Sequence, residues 1–251
     1  MNVTIFQTDI CWARPDENVK KVQRLLDETA GSDLYVLPEM WATGFATTPH
    51  DIAENEDSIA LKWMRETSVK HHCALSGSLA IRTQDGKFHN RHYFVTPSGC
   101  VSYDKHHLFT YGHEDEFFTA GNEHVIAEWQ GHRFLLLACY DLRFPVWARY
   151  GQAGEYDAII AVANWPDSRQ QAWRVLTRAR AIENQCYLIG CNRVGDDVFC
   201  HYQGESLVCG PKGETLLACG SEEAAKTVSL DFAALQHVRD RFRVLNDRDT
   251  L

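Results

Sequence analysis

The stretch Leu135-Leu136-Leu137-Ala138-Cys139-Tyr140-Asp141-Leu142-Arg143-Phe144, LLLACYDLRF, passes from a wholly apolar run to polar residues at a thiol. The apolar run reads as a strand in a chain where strands and helices alternate. Upstream, HVIAEWQGHRFLLLACY over 124–140 forms a hairpin turning at Gln130-Gly131. Downstream the spacing predicts a helix from about Pro145, the strand DAIIAVAN, and a long helix over about 168–185. Farther toward the N-terminus, NVTIFQTDI reads as a strand. RPDENVKKVQRLLDETAG reads as a helix with Val19, Val22, Leu25 and Leu26 on one face and Gly31 at its end.

DLYVLPEM is then a short strand ending at Pro38-Glu39, and residues 56–73 form a second helix. ALSGSLAI, HNRHYFVTP and CVSYDKHHLF follow as strands, the last two joined by the Pro97-Ser98-Gly99 turn. Residues 106–124 read as a loop lying over strand ends. CYLIGCNRVG, GESLVCGPKGE, TLLACG and AKTVSLD complete the series as strands. Strands and helices alternate without a linker, a repeat or a break in composition, so one α/β domain over 1–251 is expected. The polar segment 241–251 is expected either to fray or to cross to a second subunit.

With 25 Lys plus Arg against 34 Asp plus Glu, a formal charge of −9 disfavours an electrostatic grip on nucleic acid or on an anionic membrane. A small molecule is the better default partner. No leader segment and no run of about 18 apolar residues is present, so the reading is of a soluble, cytoplasmic chain. Nine scattered cysteines fit reduced thiols rather than a disulfide framework.

In open α/β sheets, ligand crevices lie at the carboxyl ends of strands. Cys139 ends one strand, Glu39 in LYVLPEM ends another, and Lys105 in CVSYDKHH ends a third. A free thiol, with a pKa of about 8.5, is mostly protonated at neutral pH and needs a base or cation to attack. A carboxylate can take its proton, and an ammonium can stabilise the oxygen of a tetrahedral intermediate. Each residue alone is an ordinary strand-end side chain; the three together point to covalent catalysis.

LPEM, YDKHHLF and CYDLRFP, in this order and at these separations, resemble the carbon–nitrogen hydrolase (nitrilase) superfamily. GNEHVIAEWQGHRFLLLACYDLRFPVWAR, ANWPDSRQQAWRVLTRARAIENQCYLIGCNRVG and GESLVCGPKGE extend the likeness over nearly the whole chain. The resemblance implies a four-layer α-β-β-α sandwich that associates through its outer helices as a homodimer or larger homo-oligomer. It implies Glu39 as general base, Lys105 as oxyanion stabiliser and Cys139 as nucleophile. Glu114, in YGHEDEFFTAGN, falls at a second glutamate position that orients the lysine and the substrate amide; otherwise it is one of three acids on a solvated loop. No cofactor and no metal is expected.

CYDLRFPVWAR, VANWP and CNRVG most resemble the omega-amidase branch, which acts on the terminal amide of 2-oxoglutaramate or 2-oxosuccinamate. Such a substrate needs a cation for its far carboxylate, and a guanidinium can hold a carboxylate through two hydrogen bonds. Arg143 and Arg193 are the candidates, with an ion pair between Arg143 and an acid such as Asp141 as the structural alternative. Tyr140, Phe118 and Trp165 are candidate pocket walls. The competing readings are another amidase of the superfamily, acting on a deaminated peptide, carbamoyl amine or nitrile, and a zinc-binding interaction module built on HHC at 71–73 and CHYQGESLVC at 200–209. Neither segment has the paired spacing of structural zinc sites.

Overall fold

The computed structural model describes residues 1–249, apart from the side chain of Asp51. Its strands are β1 (Asn2–Gln7), β2 (Leu34–Val36), β3 (Ala74–Arg82), β4 (Phe88–Thr96), β5 (Gly99–Asp104), β6 (Ile126–Trp129), β7 (His132–Ala138), β8 (Ala158–Ala163), β9 (Tyr187–Asn192), β10 (Val194–Asp196), β11 (His201–Gln203), β12 (Leu207–Cys209), β13 (Thr215–Ala218) and β14 (Ala224–Ser229). The α-helices are α1 (Pro15–Glu28), α2 (Ile59–His71), α3 (Gln170–Glu183) and α4 (Phe232–Arg241).

Two six-stranded sheets form, in the orders β14-β1-β2-β3-β4-β5 and β13-β12-β9-β8-β7-β6, beside a two-stranded ribbon of β10 and β11. Each sheet has three parallel strands at its centre, β1-β2-β3 and β7-β8-β9, with antiparallel neighbours outside. Parallel pairing there follows from crossovers that return the chain to the same end of the sheet, through α1 between β1 and β2, α2 between β2 and β3, α3 between β8 and β9, and the turn-rich segment 139–157 between β7 and β8.

The apolar run that opens the sequence reading is β7, and its two faces serve different layers. Phe134, Leu136 and Ala138 point between the sheets, where they meet Ile5, Val36 and Phe94 of the first sheet. Leu135 and Leu137 point outward against Trp173 and Ala181 of α3. On the far side, Phe6, Tyr35 and Leu75 pack under Val22 and Leu26 of α1 and Leu61 and Met64 of α2. The layers therefore stack as α-β-β-α. A strand buried on both faces has no use for polar alternation, which is why β7 and β8 lack it.

Local signals explain most boundaries. Ser58 caps α2 by accepting a hydrogen bond from the Leu61 amide at 3.0 Å. Gln130 and Gly131 take φ of +50° and +79°, the left-handed pair that a two-residue hairpin turn requires. The helix expected from Pro145 does not form. Residues 145–148 make turns instead, because Phe144 and Trp147 are each drawn onto a histidine of the loop after β5, stacking 3.7 Å from His107 and His106 respectively. Such long-range contacts override weak local helix propensity. Conversely, α4 forms where the sequence reading had no helix; Asp231 caps it through the Ala234 amide at 3.0 Å. Of the segment 241–251, Phe242 accepts a hydrogen bond from Gln185 and Leu245 is buried, and residues 250–251 lie outside the described residues.

Candidate active site

Glu39 follows β2 by three residues, Lys105 follows β5 by one, and Cys139 follows β7 by one. The chain turns sharply at two of these places. Met40, next to Glu39, has φ of +43° and Cys139 itself has φ of +46°. A non-glycine residue in this region costs on the order of 1 kcal/mol or more and persists only where its surroundings hold it. At Cys139 the holder is Asp141, a buried carboxylate accepting hydrogen bonds from the Ala138 amide at 3.0 Å, the His107 amide at 3.0 Å and the Tyr103 hydroxyl at 2.8 Å. Asp141 thus ties the thiol's turn to the loop that carries Lys105.

The three strand ends converge. Lys105 Nζ lies 2.9 Å from Glu39 Oε1 and 2.9 Å from Glu114 Oε2, with all three side chains buried. Asn90 of β4 donates through Nδ2 to Glu39 Oε1 at 2.7 Å and to Glu114 Oε1 at 3.1 Å. Its orientation is set by Ser78, whose hydroxyl donates to Asn90 Oδ1 at 2.8 Å. Glu39 Oε2 accepts from the Asn164 amide at 2.8 Å, and the Asn164 side chain donates back to the Glu39 carbonyl at 2.6 Å. Asn164 follows β8, so this pair of bonds joins the two sheets. Glu114 Oε2 also accepts from the Phe109 amide at 2.7 Å, which anchors the covering loop.

Electrostatics follow from this packing. Burial works against the Lys105 charge, but the Glu114 and Glu39 carboxylates outweigh it and hold the ammonium above its ordinary range. Glu114 is raised, first by burial, and Lys105 offsets only part of that. The Cys139 thiol is pushed well above its ordinary value by burial and then by the neighbouring Glu39 charge and hydrogen bond, with Lys105 pulling the other way. A thiol so shifted favours its protonated form, and acting as a nucleophile would need a base to take its proton.

Cys139 and Lys105 open onto a cavity of about 370 Å³, a size suited to a small ligand. Tyr140, Arg143 and Trp165, all sequence candidates, line it. Arg143 does not pair with Asp141; its guanidinium stands 5.0 Å from the Trp165 ring and 6.0 Å from the Tyr140 ring. Two candidates are misplaced. Arg193 is fully buried away from the cavity, where it binds Asp9 and the Val194 and Asp196 carbonyls, so its charge is spent on joining the ribbon to the segment after β1. Phe118 is buried beside Met40, Ala80 and Phe88 and does not reach the cavity. Sequence reading missed Phe45, Phe109, Arg169 and Tyr202 on the cavity wall and Asn90 behind it. Asn90 left one signal, a polar side chain in the middle of a strand.

The segments weighed for zinc are dispersed. His72 is the left-handed cap of α2, Cys73 is buried beneath it, Cys200 lines the cavity and Cys209 is buried in β12. Among the described residues no group of three or more His, Cys, Asp or Glu is arranged to hold a metal ion. No helix among them is long and apolar enough to cross a membrane.

Residues 2–240 match the carbon–nitrogen hydrolase family. The chain is 40% identical to an omega-amidase, YafV, of Escherichia coli K12 over 99% of its own length and 97% of the relative's. It is 33% identical to a 2-oxoglutaramate amidase of Bacillus subtilis 168, covering 98% of this chain and 96% of that one. A crystal structure of a CN-hydrolase superfamily protein from Xanthomonas campestris, with an arsenic adduct in its active site, superposes with a TM-score of 0.96 at 36% identity and covers 100% of this chain and 98% of that one.

Proposed function

The chain belongs to the carbon–nitrogen hydrolase family, and from that premise we propose that it hydrolyses the terminal carboxamide of a short 2-oxo acid monoamide, 2-oxoglutaramate or 2-oxosuccinamate, to the dicarboxylate and ammonia. The observation that carries this reading is the conjunction, on one small cavity, of the Glu39–Lys105–Cys139 cluster with a guanidinium, Arg143, that has no acid partner among the described residues.

Cys139 attacks the amide carbon as Glu39 takes the thiol proton. Lys105 gives two of its three N–H donors to Glu39 and Glu114, and the third faces the oxygen that becomes negative in the tetrahedral intermediate. Glu39 passes the proton to the nitrogen, ammonia leaves, and a thioester remains. Water, deprotonated by Glu39, attacks the thioester carbon; the proton returns to sulfur and the carboxylate product departs. Glu114 holds Lys105 in place and, with Asn90, fixes the direction of Glu39. Arg143 receives the far carboxylate of the substrate.

The same reading makes the enzyme a cytoplasmic homo-oligomer. All nine cysteines are unpaired, which suits a reducing compartment. Val175 and Ile182, seven residues apart on the outer face of α3, are half exposed and offer an apolar stripe to a second copy. Ammonia release from 2-oxoglutaramate, compared with glutamine and asparagine, tests the activity. The expected result is turnover of the 2-oxo acid amide far above either amino acid. Absence of ammonia from both 2-oxo acid monoamides ends the reading.

A further inference from the structure

Arg143 is not the only cation on the cavity wall. Arg169 also lines it, from the turn just before α3, and stands 5.0 Å from the centre of the Phe109 ring. The two guanidiniums flank one aromatic assembly. Arg143 stacks on Trp165, the Trp165 Nε1 donates to the carbonyl of Arg169 at 2.9 Å, and Phe109 beneath Arg169 meets Tyr140 beside Arg143 at 5.1 Å. Among the described residues neither guanidinium makes a hydrogen bond or ion pair with a side chain, in contrast to Arg91, Arg174, Arg180, Arg193 and Arg239, each of which reaches a carboxylate. Both are half-buried, so each gives up part of its hydration without a protein anion in return, an arrangement that favours an anionic ligand.

The other charged groups on this wall leave that preference intact. Lys105 is held by two carboxylates. Asp197 is the single acid lining the cavity among the described residues, and it faces its own loop, accepting from the Phe199 amide at 2.7 Å, the Cys200 amide at 2.8 Å and the Tyr202 hydroxyl at 2.6 Å. His113 pairs with Glu116 at 2.7 Å.

We infer that Arg169 and Arg143 together form a two-guanidinium clamp for the carboxylate and adjoining 2-oxo group of the substrate, and that this clamp is what separates 2-oxo acid amides from amino acid amides. The inference rests on the proposed activity for the identity of the substrate, but the clamp itself is a binding site for short 2-oxo acids. A carboxylate next to a ketone presents three oxygen acceptors and no donor, which suits two donor-only forks. Glutamine and asparagine replace the ketone by an ammonium, which these guanidiniums repel and for which the wall offers no unengaged acid. Arg169 is thus a specificity residue that touches the end of the substrate remote from the scissile bond.

Two measurements on the full chain test this. In the first, 2-oxoglutarate and glutamate are titrated calorimetrically into Cys139→Ser protein, alone and combined with Arg169→Met or Arg169→Lys. The clamp predicts that 2-oxoglutarate binds more tightly than glutamate, that Arg169→Met weakens it by roughly 10- to 100-fold, and that Arg169→Lys recovers part of the loss. In the second, Arg169→Met in the Cys139-containing enzyme raises KM for 2-oxoglutaramate more than it lowers kcat and reduces the preference for 2-oxoglutaramate over glutamine. A merely structural arginine would shift kcat, KM and thermal stability together and leave that preference alone. Equal 2-oxoglutarate affinity with and without Arg169, or no binding by the parent protein, overturns the clamp. Should the binding results hold while the enzyme releases no ammonia from either 2-oxo acid monoamide, the proposed activity falls and the clamp stands.

Discussion

The back and the mouth of the cavity are built on opposite rules. At the back, Glu39, Lys105, Glu114 and Asn90 are buried, and every carboxylate oxygen there has a donor. At the mouth, Arg143 and Arg169 lie half-buried on aromatic faces with no polar side-chain partner among the described residues. A saturated network keeps one geometry, which proton transfer and oxyanion stabilisation need, since their benefit depends on groups already in position. Unsatisfied guanidiniums keep their binding capacity for a ligand. In the proposed reading, reactivity and selectivity are held in separate parts of one cavity.

Three substitutions test that division, beginning with the greatest effect. Cys139→Ala is expected to lower kcat by roughly 10⁴-fold or more while 2-oxoglutarate still binds, because the nucleophile goes and the mouth stays. Turnover above about one per cent of the parent rate, measured as ammonia release, breaks the comparison at its root. Asn90→Leu removes one donor from each of Glu39 and Glu114 inside the saturated network. Urea unfolding should show a loss of about 1–3 kcal/mol, with kcat reduced as well. A variant as stable as the parent would mean that the network is less tightly fixed than its geometry implies.

The smallest effect concerns His92, which lies behind the Cys139 turn. Its Nε2 accepts from the Ser76 hydroxyl at 2.7 Å and its Nδ1 donates to the Leu137 carbonyl at 3.1 Å. Burial lowers its pKa from 6.5 to about 3, although the Leu137 bond opposes the shift. The unfolded chain binds this proton below pH 6.5 and the folded chain does not. The contribution is thus intact above pH 6.5 and lost as pH falls toward 3, at up to about 1.4 kcal/mol per pH unit. Unfolding free energies between pH 7 and 5 should fall less steeply in His92→Gln, and parallel curves would refute the assignment.

Much of this was legible in the sequence, for reasons that differ by residue. Glu39 and Cys139 each end a strand that its own apolar run announces, Lys105 ends one set off by the Pro97-Ser98-Gly99 turn, and the rule that sites form at strand ends brings the three together. Tyr140, Arg143 and Trp165 followed because they neighbour such ends. Arg193 was equally near a strand end, but its direction depends on Asp9, 184 residues away in sequence, and no local pattern encodes that pairing. Phe118 likewise turned toward Met40 and Phe88 rather than the cavity. Arg169 carries no such signal, since it falls at the start of the helix that the sequence predicts over about 168–185. The missing helix after Pro145 has the same origin, since His106 and His107 capture Trp147 and Phe144 from another loop.

The two bonds between Glu39 and Asn164 connect residues 125 apart that follow strands of different sheets. Neither half-sandwich alone can assemble this cluster, so under the proposed mechanism catalysis doubles as a gauge of docking. During renaturation from urea, ellipticity should return as each sheet and its helices form, whereas ammonia production should lag until the two halves close on one another.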